Sequence, residues 1–451
     1  MAMENRLQSL GTGPAAFSNQ GGGPNDKVVG EHVSQQSLIA NTQTNGPDDG
    51  EDFPDGGKEA WLCAAGTAGI MFCTLGYANS FGVFQAYYMH HQLRDHSPDD
   101  ISWIGSIQVF LVFASGAVGG PIFDRFGAWV IRPAAIAYLA SVMLTSVCTA
   151  YWHFVLAQGV LSGVSNGLLM FPAMAAVPQH FNKRRGAAMG LAIAGSSLGA
   201  VVFPVVLARL LLAPGAGVGF GWAVRACGLV MVPVLVFGAA TVRARLPPRA
   251  SRFFLWSAFA RPLYALLVAG TAALFLGMFV PLFYLPSYAA REAGMDESTA
   301  LYLVAAVNGA SLPGRIIPGI LGDRLGRVNT LAAAGAATSV LIFCWPSATT
   351  PAGVVAFACV FGFVSGALVS GGSVVFTLCP DSPKDIGTYM GMGIAVASLA
   401  VLVGPPVSGA ILERYGGFRE VSILSGVSCM LGAVLCLVAK AHTPQGVRGR
   451  I

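Results

Sequence analysis

Between residues 133 and 182 the chain runs for 50 residues without an Asp, Glu, Lys or Arg. Such a run is too long for one element of a soluble core, and it fits two bilayer crossings of about 20 residues each with a short turn between them. The same conversion applies along the rest of the chain. Runs 60–93, 101–123, 186–208 and 217–242 each supply one crossing, the last with Arg225 near its start. Further on, 262–290 supplies one, 298–322 one interrupted by Arg315, 328–380 two, and 386–412 and 421–439 one each. The expected fold is an all-α membrane protein of twelve transmembrane helices in two six-helix bundles. The bundles span 58–242 and 262–440, with a basic connector at 243–261 and polar tails at 1–57 and 441–451.

Composition supports the bilayer as the solvent. Charged residues make up 10% of the chain, against about 25% in a soluble domain. The net charge of +5 is spread over many loops, so it reads as a topology signal and excludes a nucleic-acid patch. Nine cysteines fall inside or at the ends of apolar runs without metal-ligand spacing, as packing residues do. Residues 1–57 lack the basic and apolar regions of a signal peptide and read as a disordered polar tail. No metal, cofactor or catalytic constellation is expected: no carboxylate pair, His cluster or Ser/His/Asp set lies at membrane depth.

The two halves repeat one another. Asp124-Arg125-Phe126-Gly127 and Asp323-Arg324-Leu325-Gly326 each end a second crossing, each precedes a double-length run, and each is followed 60 or 61 residues later by Arg184 or Lys384. Parallel halves of this kind place a substrate site between them near the midplane. Sixteen Lys and Arg residues fall in the even-numbered loops and carboxyl tail and six in the opposite loops and span ends. Both termini are therefore expected in the cytoplasm, and the protein in the plasma membrane.

The motifs Gly119-Gly120-x-x-x-Asp124-Arg125-x-Gly127 and Gly314-Arg315-x-x-x-Gly319-x-x-x-Asp323-Arg324-x-Gly326-Arg327 resemble the loop signature of the major facilitator superfamily. Asp124, Arg125, Asp323, Arg324 and Arg327, together with Arg184 and Arg185, are the candidate gate. Their carboxylates and guanidiniums can pair across one face or meet helix ends; the alternative is a charged turn that only fixes topology. Pro54-Asp55-Gly56-Gly57-x-x-Ala60-Trp61 and the run Phe181-x-Lys183-Arg184-Arg185-Gly186-x-Ala188-x-Gly190-x-Ala192-x-Ala194-Gly195-Ser196-Ser197-x-x-Gly199 resemble the two signatures of the monocarboxylate-transporter family, most closely its fungal members. The glycines put a small-residue stripe on the fifth span, suited to close or sliding helix contact.

Arg315 is the main candidate for substrate binding. It lies eight residues before Asp323, about 12 Å along a helix, where a cation needs a partner or a wet cavity. A carboxylate would be held bidentately; the alternative is a structural arginine bonded to backbone carbonyls freed by Pro313 and Pro318. The resemblance implies the first role, because monocarboxylate transporters carry a substrate-binding arginine there. It also implies a lysine in the first span and an aspartate one turn before the arginine, where this chain has Asn79 and Ser311. Proton coupling therefore stays open. Asn79, Tyr284, Asn308 and Ser311 complete the candidate substrate-binding set.

The function expected is secondary transport of a small organic anion or a carboxylate- or enolate-bearing metabolite, with efflux of a secondary metabolite and uptake of an acid or vitamin both fitting. A non-transporting membrane sensor is the alternative of another class, and an intramembrane enzyme a third.

Overall fold

In a bilayer each backbone amide must be bonded within its own segment, so apolar runs of this length fold as helices. The computed structural model describes residues 55–211, 219–247, 254–443 and 446, and no strand occurs among them. Most of the polar amino tail, the centre of the connector and most of the carboxyl tail lie outside the described residues. Among the described residues eleven apolar stretches are long enough to cross a membrane, and one of them, Trp103–Thr145, has 43 residues. That stretch holds two spans: most of Pro98–Ala114 followed by Gly116–Phe126, and Ile131–Thr145, joined by a turn at Gly127–Val130. Twelve spans result.

Span 1 is Lys58–Ala78 followed by Phe81–His90, and span 2 is Pro98–Ala114 followed by Gly116–Phe126. Span 3 is Ile131–Thr145; span 4 runs from Tyr151–Phe154 through a π-helical turn, Val155–Leu161, into Ser162–Ala176. Spans 5 and 6 are Arg185–Leu211 and Phe220–Thr241. In the second half, spans 7 to 12 are Pro262–Glu292, Glu297–Leu325, Arg327–Cys344, Pro351–Val375, Ile386–Tyr415 and Phe418–Ala441.

Local chemistry sets the ends. Ser97 and Asp100 form a reciprocal capping box at the start of span 2, which satisfies two amides that would otherwise be orphaned. Both D-R-x-G turns close on a glycine at positive φ, Gly127 at 71° and Gly326 at 100°, a region open to glycine without strain. These turns mark one end of the bundle, called here the motif end. Within the first half, span 1 packs on spans 5 and 6, and span 4 on spans 2 and 3; in the second, span 7 packs on 11 and 12, and span 8 on 10. The halves meet along two seams, span 5 against span 8 and span 2 against span 11.

Candidate functional site

The two seams are built alike, from glycines that let backbones touch. A Cβ added at Gly186 would run into the Gly319 carbonyl, and one at Gly319 into that of Gly186; Gly190 sits on the Arg315 carbonyl. Across the other seam Gly120 faces the Gly387 carbonyl, and Gly391 faces that of Gly116. Positions 116, 120 and 124 thus correspond to 315, 319 and 323, and 186 and 190 to 387 and 391. One element of the repeat differs. Where span 2 has Gly116, span 8 has Arg315.

At the motif end each aspartate meets the first turn of a helix from the other half. Asp124 accepts from the Gly387 amide at 3.1 Å, from the Thr388 amide and from the Thr388 hydroxyl at 2.6 Å. Asp323 accepts from the Gly186 and Ala187 amides at 2.7 and 2.8 Å. A carboxylate there satisfies orphan amides and sits at the positive end of the helix dipole. Arg327 pairs with Asp323 at 3.1 Å and donates to the Asn182 carbonyl. Buried Arg185 donates from Nε to the Phe181 carbonyl at 2.9 Å and from Nη1 to the Thr377 carbonyl of the other half at 3.0 Å. Arg125, Arg184 and Arg324 are exposed beside this cluster. Of the two arrangements open from sequence, the carboxylates take the helix ends, and Asp323 pairs with an arginine of its own half.

The two signature motifs of the first half also touch. Asp55 accepts from the Asn182 and Lys183 amides at 2.6 and 2.7 Å, and Trp61 stacks edge-on against Phe181 at 5.1 Å. Span 5 therefore begins under two carboxylates, one from each half. Next to this point His180 is buried, with Nδ1 placed 3.1 Å from the Ala176 carbonyl. Burial holds its imidazole below the ordinary value, and nearby Arg245 acts in the same direction.

Farther along the span 5–8 seam the polar groups converge. Arg315 is buried; its Nη1 donates to the Ile193 carbonyl at 2.9 Å and to the Ser196 hydroxyl, both on span 5. Its Nε is buried and has no partner among the described residues. Ser311, one turn away, shares a 2.7 Å hydrogen bond with Ser197 of span 5 and donates to the Asn308 carbonyl. Asn308 is buried on the same helix and bonds the Val304 carbonyl. Of the sequence-derived substrate set, the structure brings Arg315, Ser311 and Asn308 onto one face of span 8. It does not bring the other two there. Asn79 caps the break in span 1, exposed, with Nδ2 on the Leu75 carbonyl, and the Tyr284 hydroxyl of span 7 lies against Gly409 of span 11. Sequence reasoning did not name the Ile193 carbonyl, Ser196, Ser197 or Thr388 as partners. Once the Asp323–Gly186 contact is known, a shift of the repeat by about 200 residues points to Gly387 and its neighbour Thr388 as partners of Asp124, because it superposes the start of span 11 on the start of span 5.

On span 4, Gln158 accepts from Tyr88 at 2.7 Å and Ser162 accepts from Gln108 at 3.0 Å. Asn166, the next residue of that row, is fully buried, and neither side-chain atom has a partner among the described residues. No group of three or more His, Cys, Asp or Glu side chains fit to hold a metal ion occurs among the described residues.

Twelve apolar spans, two matched seams and a polar cluster buried between the halves define an integral membrane transporter of small molecules. The chain belongs to the Major Facilitator Superfamily, whose sequence pattern matches residues 66–392 and, in a second match, 319–450. The Aspyridones efflux protein apdF of Emericella nidulans is 46% identical over 88% of this chain and 80% of its own length. The Agnestins efflux protein AgnL12 of Paecilomyces divaricatus is 36% identical over 86% of this chain and 89% of its own. Among solved structures, the human organic anion transporter MFSD10 superposes with a TM-score of 0.70 at 17% identity, covering 84% of this chain and all of that one. The E. coli transporter FucP in its outward conformation gives 0.66 at 15% identity over 84% of this chain and 98% of its own. At those identities the likeness is one of fold. The family and these relatives make the chain a transporter and not an enzyme.

Proposed function

We propose that this transporter exports a small organic metabolite bearing a carboxylate or enolate across the plasma membrane by alternating access, as a monocarboxylate-porter-like member of its superfamily. The observation that carries the anionic substrate is Arg315, a guanidinium buried midway along a span at the seam between the halves, with a donor left unfilled. A cation at that depth is costly unless it is paired or hydrated, so its presence marks a binding or relay position. The names of the efflux relatives support the outward direction. The motif end is the cytoplasmic end, carrying both termini. Residues 58–242 and 262–440 are the two moving bundles, and the carboxylates at the helix ends hold them together there. Asp124, Asp323, Arg185 and Arg327 make that latch; Arg125, Arg184 and Arg324 surround it. Asn308 and Ser311 line the substrate path next to Arg315, with Asn79 and Tyr284 at its borders. With Asn79 and Ser311 in place of titratable groups, Arg315 has no ionisable partner for proton coupling among the described residues, which favours facilitated export.

The test is counterflow in proteoliposomes holding the purified protein, with a panel of labelled aromatic carboxylates and cyclic enolates set against neutral analogues of the same size. Saturable exchange of acids, lost in Arg315→Ala, is the expected result. Equal exchange of the neutral analogues would remove the anionic substrate from the reading.

A further inference from the structure

The guanidinium of Arg315 is held from one side. Only Nη1 is engaged, by the Ile193 carbonyl and the Ser196 hydroxyl, while Nε and Nη2 carry no hydrogen bond among the described residues. In arginine the Nε–H and Nη2–H bonds point the same way and form the edge that grips a carboxylate with two parallel hydrogen bonds. The buried edge left without a partner is thus the one a bidentate ligand uses. Ser196 is buried on span 5, and its own hydroxyl is oriented by a 2.8 Å bond to the Ile193 carbonyl.

We infer that Ser196 is a positioning residue for substrate binding: with the Ile193 carbonyl it fixes Nη1 of Arg315, so that the Nε–Nη2 edge is offered to a carboxylate or to a coplanar enolate-carbonyl pair. This rests on the anionic-substrate reading above. Fixing the fork before the ligand arrives removes the rotamer freedom that a long side chain would otherwise lose on binding. The ligand class follows from the geometry. A planar group with two acceptor oxygens fits, whereas a single hydroxyl or ketone fills half of the edge. Because the hold comes from the other half of the molecule, the fork is set only while spans 5 and 8 are together at this level.

The experiment is thermal unfolding of the purified, detergent-solubilised full-length protein, titrated with benzoate, phenylacetate and the enolate dehydroacetate. Ser196→Ala should raise the half-saturating concentration of the stabilising acid up to about tenfold, because the unheld fork must then lose its rotamer freedom on binding. Ser196→Thr, which keeps the hydroxyl, should stay within about twofold of the parent. Ser196→Cys, close in volume and a poor acceptor, replaces the alanine variant if that protein does not fold. Arg315→Ala should show no stabilisation. If Arg315→Ala loses the response while Ser196→Ala titrates like the parent, the positioning role is overturned and the anionic reading stands. A Ser196→Ala defect that threonine fails to restore assigns the residue to packing and overturns it too. Absence of stabilisation of the parent by any of the acids, or full stabilisation of Arg315→Ala, removes the anionic reading and this inference together.

Discussion

An arginine midway along a span costs about 2.5–3.5 kcal/mol on insertion scales. The Ile193 carbonyl and Ser196 hydroxyl offset part of that cost at Arg315. Arg315→Ala and Arg315→Lys should both reach the membrane and both lose most transport of an anionic substrate, at least about tenfold in initial rate. Lysine keeps the charge but loses the planar fork. An alanine variant that transports at the parental rate and melts higher would mark the arginine as structural, and a near-normal lysine variant would leave charge as the only requirement. His180 gives a second prediction at this scale. Burial depresses its pKa in the folded protein, so below about pH 6.5 the unfolded chain takes up a proton that the folded chain resists. Stability is therefore full above that range and falls as pH drops through it. The melting midpoint should decline between about pH 7.5 and 5.5, and His180→Gln should flatten the decline; parallel curves for the two proteins would assign the pH dependence elsewhere.

At the scale of helices, each seam depends on backbone contact that a single methyl group would disturb. Gly120→Val places a branched side chain against the Gly387 carbonyl, forcing spans 2 and 11 apart. The expected outcome is faster labelling of a cysteine introduced at Lys384 and a lower melting midpoint, because overpacking costs about 1–3 kcal/mol. Unchanged labelling would show that the seam tolerates the extra volume. Asp124→Asn and Asp323→Asn keep the shape and lose the charge at a helix end, worth about 0.3–2 kcal/mol. Each should raise the same labelling several-fold with little effect on expression, and no change in either would reduce the motif to a turn. Sequence carried much of this level. The D-R-x-G turns, their repeat and the glycine stripe of the fifth span were all legible, because charge placement and glycine at positive φ are local requirements. The partners were not, since an aspartate that ends span 2 carries no mark of which distant helix start it will meet. Asn79 and Tyr284 are polar residues at membrane depth that could line a path, but depth says nothing about which face a residue presents to a neighbour.

For the whole molecule, the count of crossings followed from apolar length alone, apart from the break at Asn79–Ser80 and the π-helical turn at Val155–Leu161, which composition does not announce. The distribution of basic residues predicts that single cysteines placed at Asn19 or Gly446 in a cysteine-free background stay unlabelled by an impermeant reagent in intact cells. Labelling of either from outside would invert the topology. The double cover over the start of span 5 has a consequence for what separation leaves behind. When the halves part, Asp323 leaves the Gly186 and Ala187 amides, but Asp55 stays on those of Asn182 and Lys183, so the positive end of that helix keeps an anion. Span 11 gives up Asp124 in the same way and keeps the carboxylate of its own N-cap residue, Asp385. Each helix start thus retains an anion near its positive end once its partner aspartate has gone. Whichever seam parts first, neither helix start should be left without a negative charge as the two halves separate.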